Sequence, residues 1–127
     1  MEHTILVVDD QAEVRQLLMV SLAGKDREMH EASNGDDGWR IAQYLRPSVV
    51  VLDVMMPGSL DGYQVCHRIK MDPTLKSKTK VILLTARGQS VDFERGKEAL
   101  CDAYLTKPFS PIELLETVER CMPKLAW

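Results

Sequence analysis

Four short apolar runs, three of them rich in β-branched residues, recur along this 127-residue chain, and each gives way to a charged or hydroxyl residue. Thr4 to Val8 (TILVV) stops at Asp9-Asp10. Ser48 to Leu52 (SVVVL) stops at Asp53, and Lys80 to Leu84 (KVILL) at Thr85. A shorter run, Ala103 to Leu105, leads to Lys107-Pro108. Apolar runs of this length without alternation read as strands buried on both faces, as in a parallel sheet covered by helices.

Between the runs the apolar residues change to helical spacing. Val14, Leu17, Leu18 and Leu22 form one stripe, with Gly24 as its stop. Ser33-Asn34-Gly35 offers a turn and helix start before Trp39, Ala42 and Leu45, and Pro47 closes that segment. Val65, Cys66 and Ile69 mark a helix behind the turns at Pro57-Gly58 and Asp61-Gly62. Phe93, Glu94, Lys97 and Leu100 allow a weaker, more polar helix. Ile112, Leu115, Val118 and Met122 follow Pro111 as the last one, ended by Pro123. Arg27 to Ala32 supplies a fifth, more polar strand, nearer a sheet edge. Five strands alternating with five helices imply an α/β, doubly wound (βα)5 fold with a five-stranded parallel sheet and helices on both faces. The length fits one domain, 1–127, and no repeat or linker divides it. Met1 stands directly before the first strand, as at a natural start. The C-terminal end suits a free-standing protein and a piece of a longer one equally.

Composition narrows function by exclusion. With 19 acidic residues against 16 Lys and Arg and no basic run, the chain shows no charge pattern for direct nucleic-acid binding. Asp53 interrupts the longest apolar stretch, so a membrane span is not expected, and the N-terminus lacks the features of a signal peptide. A cytoplasmic location is expected. Cys66, Cys101 and Cys121 are odd in number and far apart. They read as reduced thiols packed as small hydrophobes, not as a disulfide frame or a zinc site. His3, His30 and His67 are scattered and read as neutral surface residues.

In an open parallel sheet, ligands bind beyond the carboxyl ends of the strands. Asp9, Asp10, Asp53, Thr85 and Lys107 all leave strands at that rim. Singly, each has a plain structural reading. Asp10 can equally be the N-cap of the first helix, Thr85 a strand end, and Lys107 a solvated charge. Asp53 resists such a reading, because apolar residues both precede and follow it and a carboxylate in that setting needs a partner. Clustered carboxylates repel one another, and a divalent cation relieves the repulsion. An all-oxygen donor set suits Mg²⁺, with Mn²⁺ as a substitute, better than zinc. A carboxylate beside Mg²⁺ and an ammonium can attack phosphorus to give an aspartyl phosphate.

The segments ILVVDD (Ile5 to Asp10), VVLDVMMPG (Val50 to Gly58), LLTA (Leu83 to Ala86) and YLTKPF (Tyr104 to Phe109) stand in an order and spacing that resemble the receiver domains of response regulators. The resemblance covers essentially the whole chain. It implies a flavodoxin-like fold with strand order 2-1-3-4-5. It implies Asp53 as phosphoacceptor, Asp10 as direct metal ligand, Asp9 as its neighbour acting through water, and the Met55 backbone carbonyl as a further metal ligand. Lys107 would pair with the phosphoryl group, Thr85 would swing its hydroxyl to it, and Tyr104 would move inward behind Thr85. The Lys107-Pro108 bond would be cis, a form that costs about 0.5–1 kcal/mol over trans before proline. Met55 and Arg87 occupy positions that tune dephosphorylation in relatives. Two departures stand out. The loop Met56 to Gly62 is one residue longer than the family's usual M-P-x-x-D-G. Leu100 replaces a frequent glycine before the fifth strand, and a different local turn is expected there.

By the same resemblance, a histidine kinase or histidine phosphotransfer protein would phosphorylate Asp53. The surface of the fourth helix, fifth strand and fifth helix would then change for an output partner or a C-terminal effector domain. A homodimer through that surface, with Phe93 or Trp127 contributing, stays open. Three rivals use the same fold. A binding module that has lost phosphorylation is disfavoured, because every residue needed for the chemistry is present. An aspartate-nucleophile phosphatase would want a second acid at the position of Met55. A flavin carrier would want a Ser/Thr/Gly-rich phosphate loop where Asp9-Asp10 stands. The chain is therefore expected to be a phosphoacceptor regulator and not an enzyme acting on a separate substrate.

Overall fold

The unbroken apolar runs become the interior of a sheet. A computed structural model describes residues 3–86 and 90–122, with the backbone alone for 90–93. The elements follow as β1 (His3–Val8), α1 (Ala12–Leu22), β2 (Arg27–Ala32), α2 (Gly35–Leu45), β3 (Val49–Asp53), α3 (Gly62–Met71), β4 (Lys80–Thr85), α4 (Ser90–Glu98), β5 (Ala103–Thr106) and α5 (Pro111–Cys121). All four strand pairings are parallel and the order is β2-β1-β3-β4-β5, as the resemblance implied. The polar β2 is an edge strand, as its composition suggested.

Successive strand residues point to opposite faces, so each apolar run feeds two cores. Leu6, Val8, Val50, Leu52, Val81 and Leu83 pack with Ala42 of α2 and Val65, Cys66 and Ile69 of α3. Ile5, Val7, Val49, Val51, Ile82 and Leu84 pack with Leu18 and Leu22 of α1 and Leu114 and Val118 of α5. Each of these strand side chains is fully buried, which is worth about 1.5–3 kcal/mol apiece relative to exposure. This two-sided burial explains why the runs do not alternate.

Several local expectations shift. Gly24 is not the stop of α1, because the helix ends at Leu22 with an extended Ala23 as its C-cap. Asp10 is not its N-cap, since Gln11 occupies that position with no side-chain cap. Leu17 is 44% exposed and Ile112 69%; the helix seams run one or two positions away, through Leu18 and Leu114. Cys66 is buried as expected, whereas Cys101 and Cys121 are only partly covered, and all three are free thiols. Met1, Arg87, the Phe93 side chain, Pro123 and Trp127 lie outside the described residues.

Leu100 departs most from expectation. It does not continue the face of α4. It follows the helix in a left-handed conformation, φ 67°, half-exposed. Its N–H donates to the Lys97 carbonyl (3.0 Å), and the Cys101 N–H donates to the Gly96 carbonyl (3.1 Å). These two bonds are the paired closure that normally places glycine at this position. The usual turn is thus kept with leucine in it, because the chain must reverse immediately to enter β5. Asp102 secures the reversal. Its carboxylate accepts from Lys70 Nζ (2.9 Å) and the Val81 N–H (2.8 Å), joining α3, β4 and the start of β5 at the end of the sheet away from the rim.

Leucine in the left-handed region costs about 1–2 kcal/mol, and glycine gives back part of that through its freer unfolded chain. Leu100→Gly is therefore expected to raise the unfolding free energy by about 0.5–1 kcal/mol. Urea denaturation checks this, with an unchanged or lower midpoint counting against the strain.

Candidate functional site

Strand register assembles the site. Val8 of β1 is level with Leu52 of β3, so Asp9 and Asp53 come next, on neighbouring chains at the carboxyl rim. Asp53 is level with Leu84 of β4 and is followed there by Thr85. Thr85 is level with Thr106 of β5, directly before Lys107. The Lys107 N–H also donates to the Thr85 carbonyl at 2.6 Å, fastening the two strand ends together.

The side chains converge accordingly. Asp9, Asp10 and Asp53 each offer a carboxylate oxygen, and these oxygens all lie within 4.8 Å of one another. Lys107 Nζ reaches Asp9 at 3.1 Å and Asp53 at 3.5 Å. Asp9 is fully buried and Asp53 nearly so, whereas Asp10 is exposed. Backbone donors help to hold the acids, with the Gln11 N–H on Asp9 (2.9 Å) and the Met55 N–H on Asp53 (3.3 Å). Met55 turns its side chain outward. Thr85 is buried at the end of β4. Tyr104 does not join the acidic group; it lies on β5, turned toward α3 and α4, with its hydroxyl 3.3 Å from that of Tyr63. The Lys107-Pro108 bond is cis.

The arrangement strains Asp53. Burial pushes its carboxyl up from 3.8 to about 6, and the charge of Asp9 adds to the rise; Lys107 and the Met55 N–H oppose them, and Asp10 adds a smaller upward push. A divalent cation among the three acids would reverse that balance. The donor set is all oxygen and partly open to water, with no nitrogen or sulfur ligand in the group. That chemistry fits Mg²⁺ or Mn²⁺.

The elongated loop after β3 is fixed rather than slack. Gly58 takes φ 106°, a conformation that favours glycine. The Ser59 hydroxyl donates to the Asp36 carboxylate of α2 (2.7 and 2.9 Å), and Leu60 is buried in the core. The extra residue is thereby taken up against α2. Gly62 then opens α3 so close to β3 that a Cβ there would lie 2.1 Å from the Asp53 carbonyl oxygen. Asp61 caps this helix by a reciprocal pair of bonds with Gln64.

The sequence reading missed three contributors. Arg15 donates from its guanidinium to the Asp9 carbonyl at 2.8 Å and pairs with Glu31 at 2.9 Å. Tyr63 and Gly96 surround Tyr104. Arg15 sits six residues after Asp9, in the first turn of α1, and no motif marks it. Tyr63 and Gly96 meet Tyr104 only through tertiary packing.

A pKa raised in the native state means that the contribution of Asp53 to stability is best below about pH 4 and worsens as pH rises through about 6. Without divalent cations, Asp53→Asn is therefore expected to be the more stable protein at pH 7–8. After allowance for solvent screening at the open rim, the gain is about 1–2 kcal/mol and shrinks toward pH 4. Paired urea titrations across that range check both sign and window. An advantage that grows toward low pH would contradict the electrostatic account.

The comparisons with known proteins agree with this geometry. The response regulator receiver domain family matches residues 5–119. The transcriptional regulatory protein ResD of Bacillus subtilis is 40% identical over 118 residues, covering 93% of this chain and 47% of ResD. The probable transcriptional regulator ycf27 of Porphyra purpurea is 46% identical over 113 residues, covering 89% and 44%. The chain thus spans about half the length of the curated relatives it matches. Among solved structures, the chemotaxis protein CheY4 of Vibrio cholerae superposes with TM-score 0.87 at 28% identity, covering 96% of this chain and all of that one. The response regulator DrrB of Thermotoga maritima superposes with TM-score 0.83 at 36% identity, covering 94% of this chain and 52% of that one. With the sheet order, the acidic rim and the family match in agreement, the chain belongs to the response regulator receiver domain family.

Proposed function

We propose that this chain is a phosphorylation switch in which Asp53 accepts a phosphoryl group from a histidine kinase or a histidine phosphotransfer protein. The observation that carries the reading is the grouping of three carboxylates within 4.8 Å of one another under a single ammonium that reaches two of them. Asp9, Asp10 and Asp53, with the Met55 carbonyl, would hold Mg²⁺, which when bound neutralises charge on the acceptor and on the incoming phosphoryl oxygens.

In the transfer, Asp53 attacks the phosphorus of phosphohistidine. The P–N bond breaks, a P–O bond forms, and the imidazole leaves with its electron pair. Lys107 shifts its charge from the free carboxylates to the phosphoryl oxygens. The phosphoryl group carries roughly two negative charges where the free carboxylate carried one, and brings three strong acceptors. Thr85 donates its hydroxyl to one of them, which draws in the segment after β4, and Tyr104 follows. A local change of charge then biases the arrangement of the α4-β5-α5 surface. That surface would serve an output partner, an effector domain or a second copy of the chain. Chemistry is confined to the chain's own phosphorylation and dephosphorylation, and residues 1–127 act as one receiver unit. A cytoplasmic place fits a kinase-fed switch; among the described residues no helix is long and apolar enough to cross a membrane. Several relatives are named as transcriptional regulators, and a transcriptional output is the corresponding proposal for any longer protein that carries this unit.

Acetyl phosphate with Mg²⁺ is expected to add one phosphoryl group to the intact mass, and Asp53→Asn to gain none. The same gain in the variant, or none in the wild type with either acetyl phosphate or a phosphorylated kinase, would sink the proposal. The double variant Thr85→Ala with Tyr104→Ala is expected to be phosphorylated yet to lose the accompanying change in amide hydrogen exchange across 90–122. Retention of that change would rule out the Thr85 and Tyr104 relay.

A further inference from the structure

Tyr104 is gripped from two sides by residues outside the acidic rim. On α3, the Tyr63 hydroxyl stands 3.3 Å from the Tyr104 hydroxyl. On α4, Gly96 is buried, and a Cβ added there would lie 2.9 and 3.1 Å from carbons of the Tyr104 ring. The ring therefore occupies space that exists only because α4 has no side chain at that point. Tyr63 is itself held in place. The Arg95 guanidinium of α4 lies 4.3 Å from its ring centroid and also reaches Asp61, the cap of α3, at 3.5 Å. One chain of contacts thus runs from the N-terminus of α3, through α4, to the tyrosine on β5.

We infer that Tyr63 and Gly96 are positioning residues that form a berth for Tyr104 between α3 and α4 and favour its occupation, the place where the switch reading given above, on which this rests, has Tyr104 settle on phosphorylation. The Tyr63 hydroxyl gives the inward ring a polar partner in a mostly apolar setting, and Gly96 gives it room. Glycine inside a helix is otherwise unfavourable, because alanine is the stronger helix former. Its presence at a buried position facing an aromatic ring is accounted for by that room.

The chain has three tyrosines, so ¹H–¹³C spectra of their rings can follow Tyr104 directly. The probe is a titration with beryllofluoride in Mg²⁺, a stand-in for the phosphoryl group. Tyr63→Phe is expected to shift the Tyr104 ring signals before any titrant is added and to raise the beryllofluoride midpoint two- to fivefold. Gly96→Ala is expected to raise it further, while Tyr44→Phe, far out on the exposed face of α2, leaves it unchanged. Thermal stability supplies a second readout. Gly96→Ala should lower Tm in the wild-type background and raise it when Tyr104 is already alanine, a sign reversal that a merely structural helix position would not give. Unmoved midpoints in both variants, or midpoints that fall, overturn the positioning role. A wild type that ignores beryllofluoride overturns the phosphoacceptor reading itself, so the two failures are distinct.

Discussion

Two carboxylates forced together by strand register, and one ammonium that makes this tolerable, govern the design of the rim. The pairing of β1 with β3 leaves Asp9 and Asp53 no choice but to emerge side by side, with Lys107 on both. The backbone contributes through the Gln11 and Met55 N–H groups. These donors offset only part of the penalty, since Asp53 remains a weaker acid than usual. The site therefore keeps an unspent demand for positive charge. A fold selected for stability alone would not hold such a group at the end of its most buried strand. A divalent cation placed among the three acids would meet that demand.

The surroundings divide into a fixed side and an adjustable side. On the fixed side, α3 begins in contact with the backbone of Asp53 at Gly62, the loop before it is tied to α2 by Ser59, and the far end of α3 is clamped by Asp102. A shift of this helix would break several contacts at once. On the other side, α4 meets α3 through an arginine lying on an aromatic ring and meets β5 through a glycine. Such contacts can be exchanged for others at modest cost, so a change of charge at the rim has a direction in which to spread.

The architecture was legible in the sequence because two-sided burial leaves an unmistakable pattern, and Val49 to Leu52 or Ile82 to Leu84 can hardly be anything else. The acidic cluster was legible for a related reason: strand ends in a parallel sheet share one rim, so residues remote in sequence can be assigned to one place. What escaped was whatever depends on exact packing. Leu17 and Ile112 match the helical period yet face solvent, because the true seams lie beside them. Gly24 looked like a stop although Ala23 ends the helix. Leu100 was expected to abandon the usual turn, but the reversal into β5 imposed that turn on a residue ill suited to it. Tyr63 and Gly96 carry no motif, and their relation to Tyr104 arises only when α3, α4 and β5 come together.

The position of Lys107 along the chain has a consequence for the order in which the molecule can be assembled. Both buried acids have left the ribosome before their ammonium partner does, since Lys107 follows Asp9 and Asp53 in the sequence. A nascent chain carrying only β1, α1, β2, α2 and β3 could pair its strands, but the pairing would bring two carboxylates together with little to balance them. The early half is thus discouraged from settling on its own until the last strand arrives. The arrival of β5 then adds the last pairing of the sheet and, one residue further on, the ammonium that balances the rim.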